Sequence, residues 1–304
     1  MEKIQYDVIV IGGGPAGCAA ALFSARAKHK TLLLHRGTNP VLATFQWLLP
    51  GVPKNINPAV WMENLKNQGK EAGTYLEEQP IKSVLFGETL KQIQTEQKTY
   101  EAPVVILASG CHHRQGLIDG EGELSGRGVS YNAFQDGFQY AEQSVALEGK
   151  NDLAVTEALF LSRLVEHLYF IVPAAKLDVE EKTYSKITNT KNISILYSSS
   201  IKSIHGNNKV EGLRVMEAGQ EKDLSVQAVF LYARVSKPKH DFLDGKIEIS
   251  EDGCVLVDEQ MMTSVPGVFA CGDIIAGQPQ IPSVAMAQGL VAGMQAVRRI
   301  HSHS

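Results

Sequence analysis

The sequence predicts an α/β protein of two domains, and three stretches carry that prediction. Residues Val8 to Ile11 form an apolar, β-branched run that breaks into Gly12-x-Gly14-x-x-Gly17 and passes into a helix-forming run from Ala19 to Ala27. A second unbroken apolar run, Ala102 to Leu107, ends in the small residues Ala108-Ser109-Gly110, as a parallel strand covered on both faces does. A further α/β stretch fills the middle of the chain, with a helix read over 153–167, a strand over 168–172 and more strands between Ile193 and Tyr232. The 304 residues leave room for two domains, each with its own core.

The first strand, turn and helix are the chemically informative unit. Gly12 allows the tight turn out of the strand, Gly14 lets a diphosphate approach the backbone, and Gly17 lets the helix pack close to the sheet. The N–H groups of the first helical turn, around Pro15 and Ala16, then face the diphosphate, aided by the helix dipole. The next strand, Thr31 to Leu34, ends in His35-Arg36, where a dinucleotide site usually has an acidic residue for the adenosine ribose. His35 and Arg36 are read as cofactor contacts in its place, with an ordinary solvated side chain the other reading of Arg36.

An apolar loop over 38–53 contains Trp47, either a wall for a ring-shaped cofactor or a buried loop anchor, and 59–73 reads as an amphipathic helix. Short strands with polar alternation follow from Ile81 to Thr99. Glycine and acidic residues accumulate over 116–128, and Val235-Ser-Lys-Pro-Lys-His marks a second boundary. The domains are therefore set at 1–116, 117–238 and 239–304, and a closing helix is read over 284–301, with His301 and His303 in a frayed tail.

Bulk properties narrow the function classes. A net charge of −4 offers no basic field for nucleic acid, and no apolar run approaches the ~18 residues of a membrane helix. The four cysteines, at 18, 111, 254 and 271, have neither a redox C-x-x-C nor any metal spacing, and they are too few for a secreted disulfide framework. The expectation is a cytoplasmic protein without a metal.

Three separated pieces share one pattern: the Gly12 turn, the Leu107-Ala108-Ser109-Gly110 strand end, and Thr263-x-x-Pro266-Gly267-Val-Phe-Ala-Cys271-Gly272-Asp273. Together they resemble two-dinucleotide-domain flavoproteins, and their order and spacing resemble the low-molecular-weight thioredoxin reductase group. That resemblance implies two Rossmann-like dinucleotide-binding domains, the second inserted in the first, with FAD held by both chain ends in a homodimer. It assigns the flavin's ribitol to Asp273 and places Ala108, Gly110, Gly272, Gln280 and Ile281 against the cofactor, although the family's Arg-Gln pair reads Gln280-Ile281 here.

The resemblance fails at two motifs. Where the family has Cys-x-x-Cys-Asp-Gly, this chain has Asn132-Ala-Phe-Gln135-Asp136-Gly137, and neither amide can act as a thiolate. Asp136 remains, either for proton handling near the flavin or as a cap of the following turn. At the second glycine-rich turn, Glu148-Gly149-Lys150-Asn151-Asp152-Leu153-Ala154, Asn151 replaces the glycine that meets a pyrophosphate. The arginines that would clamp the 2′-phosphate of NADPH map to Val172-Pro173-Ala174 and beyond. Charge-assisted bonds are each worth about 1.5–3 kcal/mol, so losing several weakens NADPH binding by orders of magnitude.

The reading is thus an FAD-dependent oxidoreductase that does not use NADPH and acts on a disulfide or small acceptor. Its electrons come from a protein donor such as ferredoxin or flavodoxin, or through a second bound flavin, with Tyr131, Phe134 and Phe138 as stacking walls or as core. A thioredoxin-like protein is a further possible partner. Cys111 and Cys271, at neighbouring strand ends, are either a relocated redox pair or small buried hydrophobes, and His112-His113-Arg114 beside them is unusually rich in charge and rings. The rival classes are a non-catalytic flavin redox sensor and an NADH-dependent flavin oxidase.

Overall fold

A computed structural model describes residues 3–37, 49–53, 56–111, 118–232, 242–243, 245–251, 253–278 and 281–303. The chain divides into two compact units, one drawn from both chain ends and the other from the middle of the chain. Trp47, His112-His113-Arg114 and Gln280 lie outside the described residues.

The first unit opens with β1 (Lys3–Gln5), β2 (Val8–Ile11), α1 (Pro15–Arg26), β3 (Thr31–His35), α2 (Pro58–Glu71) and β4 (Tyr75–Glu78). It continues with β5 (Ile81–Phe86), β6 (Lys91–Thr95), β7 (Thr99–Ala102) and β8 (Val104–Leu107). The unbroken apolar strands β2 and β8 are buried at every position, which a parallel sheet covered on both faces requires. The sheet of this unit is five-stranded and parallel, in the order β17-β8-β2-β3-β4 once the last strand, β17 (Val268–Ala270), joins it. A second sheet, β1-β7-β6-β5, packs its apolar positions Ile93, Tyr100 and Ala102 into the same core as Ile9, Leu32 and Val105.

The second unit runs β9 (Val129–Ser130), α3 (Ala133–Asp136), β10 (Ser144–Glu148), α4 (Asp152–Leu161), β11 (His167–Ile171) and α5 (Glu181–Thr188). It ends with β12 (Ile193–Leu196), β13 (Ser199–His205), β14 (Gly212–Glu217), β15 (Gln220–Leu224) and β16 (Ala228–Leu231). Its parallel sheet, β12-β11-β10-β16-β9, has cores on both faces: Val145 and Leu147 of β10 pack with α4, while Ala146 between them packs with β13 and β14. That alternation is the two-residue repeat of a strand. The chain then returns to the first unit through β17 and α6 (Pro282–His303).

Two expectations need correction. The helix read over 153–167 stops at Leu161, because Asn192 Nδ2 takes the carbonyls of Ser162 (2.9 Å) and Val165 (3.1 Å) and β11 begins at His167. The tail read as frayed is helical, since α6 runs through His303 and the His301 ring lies 5.2 Å from that of His29.

Candidate cofactor site

The carboxyl ends of β8, β2 and β3 lie side by side, because Ile11 is in register with both Leu107 and Leu34. Gly12, the next residue after β2, has φ +121°, and a Cβ there would lie 2.1 Å from the Ala108 carbonyl oxygen. No other residue type fits that turn without moving β8. Five residues on, a Cβ on Gly17 would lie 1.8 Å from the Gly12 oxygen, so α1 starts in direct backbone contact with the turn. The first helical bond runs from Cys18 N–H to the Gly14 carbonyl at 2.9 Å, and Gly14, the N-cap, has no side chain to cap the turn. With Pro15 at the first helical position, the N–H groups of Ala16 and Gly17 are left for an outside acceptor, as anion-binding helix starts are.

The flanking strand ends present polar atoms with no partner among the described residues. Ser109 Oγ, past the end of β8, and His35 Nδ1, at the end of β3, are both buried and make no hydrogen bond among the described residues. Arg36, next to His35, is exposed. On the far side of the turn, Gly272-Asp273 follows β17, with a Cβ on Gly272 2.9 Å from Ala16 Cβ. Asp273 keeps part of its surface open, yet desolvation pushes its carboxyl up to about 6. Ile281 starts α6 by giving its carbonyl to Ala285 N–H at 2.9 Å.

Gln288 was missed by sequence reasoning, although a lone polar residue on a helix face shared with buried Ala285, Ala292 and Ala296 was its signal. Its Oε1 accepts the Gly272 N–H at 2.9 Å, and α6 presses close to α1 at the next residue, where a Cβ on Gly289 would lie 2.1 Å from the Ala16 oxygen. Gln288→Ala strands a buried N–H, so the expected result is a loss of about 1–3 kcal/mol in urea unfolding. Gln288→Glu, which keeps an acceptor, is expected to retain most of it.

No disulfide joins the four cysteines. β8 and β17 are hydrogen-bonded neighbours, so Cys111 and Cys271 do follow adjacent strands. Both thiols are buried, and burial pushes that of Cys271 up to about 12, the opposite of an activated thiolate.

In the second unit the two amides at the cysteine positions have structural partners. Asn132 Oδ1 accepts the Gln135 N–H at 3.0 Å and caps α3. Asp136 is not a cap: its Oδ2 receives Ser130 Oγ at 2.7 Å, and its Oδ1 is buried with no partner among the described residues. Burial raises Asp136 to about 6, against the hydrogen bonds from Ser130 and Gln135. Glu157 and Tyr232, also missed, form a buried pair that meets Ala133 N–H, each at 2.7 Å. Phe134 stacks on Phe160 at 4.6 Å, Phe138 meets Phe160 edge-on at 5.4 Å, and Tyr131 donates to Glu121 at 2.7 Å.

The second glycine-rich turn keeps its packing but not its open helix start. A Cβ on Gly149 would lie 2.4 Å from Ala154 Cβ, so strand and helix still close up. Asn151 Oδ1 accepts the Ala154 N–H at 3.1 Å, which is one of the donors a phosphate would use. The segment after β11 folds back onto this turn, with Asp178 N–H donating to the Lys150 carbonyl at 2.8 Å and Leu177 buried in the core beneath.

Comparison with known proteins bears on which nucleotide the first turn serves. The family described as pyridine nucleotide-disulphide oxidoreductase matches residues 6–289. The chain belongs to that family. It is 35% identical over 295 residues to a thioredoxin reductase of Aquifex aeolicus, covering 95% of this chain and 91% of that one. A thioredoxin reductase of Listeria monocytogenes is 32% identical over 98% of this chain and 95% of its own. Among solved structures, thioredoxin reductase from Giardia duodenalis superposes with a TM-score of 0.92 at 28% identity, covering 98% and 99% of the two chains. A ferredoxin-flavin thioredoxin reductase from Clostridium acetobutylicum gives a TM-score of 0.53 at 26% identity over 99% and 100%.

This thioredoxin-reductase-like flavoprotein is therefore an oxidoreductase of a family that binds FAD. The open turn at Gly14–Gly17, the two buried unpartnered atoms and the desolvated Asp273 all fit such a dinucleotide along the sheet edge of the first unit. No helix among the described residues is long and apolar enough to cross a membrane. No group of three or more potential metal ligands occurs among them either.

Proposed function

We propose that this chain is an FAD-dependent oxidoreductase that takes no hydride from NADPH and exchanges no disulfide through the α3 segment. With FAD bound, the chain would pass electrons from a protein donor of the ferredoxin or flavodoxin type to a disulfide, as on a thioredoxin-like protein, or to another small acceptor. The observation that carries this reading is the Asn151 cap on Ala154 N–H, with the Asp178 segment bonded across the same turn. Asn132 and Gln135 at the cysteine positions support it, as does the likeness to a ferredoxin-flavin thioredoxin reductase. The family's homodimer is part of the same proposal.

In the first unit, the backbone N–H groups of Ala16 and Gly17 hold the pyrophosphate, and Asp273 accepts hydrogen bonds from the ribitol hydroxyls. Ala108 and Gly110 leave room for the cofactor above β8. Bound FAD supplies one- and two-electron redox chemistry at its ring system. Gln288 and the Ala16–Gly289 contact fix the two chain ends against each other, so that Asp273 and the α1 start face one ligand.

Calorimetric titration of the FAD-loaded protein with NADPH and with NADH tests the central negative. The expected outcome is no saturable binding below about millimolar concentration, since Asn151 takes a helix-start donor that the pyrophosphate of either nucleotide would use and NADPH also lacks the charge-assisted bonds to its 2′-phosphate. A micromolar Kd for either nucleotide contradicts the proposal.

A further inference from the structure

The end of β3 carries a ring where an open αβ sheet usually has a carboxylate. A doubly wound sheet binds its dinucleotide outside the carboxyl ends of its strands, and the residue closing the second strand meets the adenosine ribose. Here that residue is His35. Leu34 is in register with Ile11, so His35 stands beside Gly12, and its side chain lies over the turn itself: a Cβ on Gly13 would be 2.7 Å from His35 Cβ and 3.2 Å from Cγ. The strand end is held in place by Gln79 N–H, which donates to the His35 carbonyl at 3.0 Å.

The ring is placed to receive a ligand. His35 Nδ1 is buried and makes no hydrogen bond among the described residues, a state that native structures rarely leave unfilled. The charged groups around the ring are Lys66 and Lys70 of α2 and Glu78 of β4. Burial first, then Lys66 and Lys70, hold the ring below its usual range against Glu78 and a hydrogen bond between the ring and the Gly37 backbone. The imidazole is therefore neutral at pH 7 and exchanges a hydrogen bond with a hydroxyl without burying a charge. Arg36 is exposed and leaves His35 as the inward-facing residue of the pair.

We propose that His35 recognises the adenosine ribose of FAD, with Nδ1 hydrogen-bonded to one ribose hydroxyl in the place of the usual acidic side chain. The proposal rests on the family's FAD binding and is independent of how the flavin is reduced. The test titrates apoprotein with FAD and with two analogues that lack the 2′ or the 3′ hydroxyl of the adenosine ribose, following flavin fluorescence. The wild-type chain is expected to bind one analogue about tenfold more weakly than FAD, the strength of one hydrogen bond. His35→Ala is expected to bind FAD and that analogue equally, and His35→Glu to restore the gap. Wild-type protein that binds both analogues as tightly as FAD overturns the proposal without any variant, and so does a gap that survives in His35→Ala. Apoprotein that takes up no FAD at all overturns the cofactor reading beneath it, a result distinct from either of these.

Discussion

Gly12→Ala is expected to yield colourless, poorly folded protein. The added Cβ lies 2.1 Å from the Ala108 carbonyl oxygen, and the residue must hold φ +121°. Backbone strain of this kind costs about 1–3 kcal/mol, and forcing β8 away adds roughly 1–3 kcal/mol more. A total of about 2–6 kcal/mol is a large share of a domain stability of roughly 5–15 kcal/mol. Gly110→Ala is the matched control, because Gly110 also has positive φ, +71°, but a Cβ there meets nothing within 4 Å. It is expected to lose only about 1 kcal/mol. Urea unfolding with absorbance near 450 nm on the purified proteins reads both; equal losses for the two variants would mean that the Gly12–Ala108 contact does not govern the turn.

Asp273→Asn is expected to move stability and cofactor affinity in opposite directions. Desolvation raises the Asp273 carboxyl from 3.8 to about 6, so its charged form is disfavoured in the folded apoprotein. A carboxyl with a raised folded value costs nothing while both states are protonated. The cost appears as pH climbs through the unfolded value near 4 and is complete above about 6. Removing the charge should thus stabilise the apoprotein by about 1–2 kcal/mol at pH 8, allowing for the part of the side chain that solvent reaches. The gain should vanish near pH 4. FAD affinity should fall about tenfold or more, since a charged acceptor for hydroxyl donors becomes a neutral one. Thermal melts of apoprotein at both pH values, set beside an FAD titration, check the pair. An apoprotein destabilised at pH 8 would show that Asp273 has protein donors in place of a cofactor.

Much of the first unit is legible in the chain alone. The unbroken apolar runs of β2 and β8, with glycine or small residues at their ends, specify buried parallel strands that break off at one sheet edge, because the signals are local. The end of α4 is not legible in the same way: Leu164 and Val165 continue the helical apolar spacing, and only Asn192, a residue distant in sequence, takes the carbonyls that end it. Gln288 and the Glu157–Tyr232 pair share that difficulty, since their partners Gly272 and Ala133 are brought to them by the tertiary fold. Asn132 and Asn151 lie between these cases. Their place before a helix is a capping signal readable from sequence, yet set against cysteine and glycine they register first as losses. Their side chains in fact close the helix starts that they precede.

In the proposed reading the open turn of the first unit serves FAD, while the corresponding turn of the second is capped by its own chain. Anaerobic mixing of the FAD-loaded protein with NADPH, NADH or reduced ferredoxin, followed near 450 nm, tests that division most directly. The predicted result is bleaching by reduced ferredoxin and an unchanged spectrum over minutes with either nicotinamide nucleotide. Bleaching by NADPH within seconds would contradict it, because hydride could then reach the flavin despite the Asn151 cap.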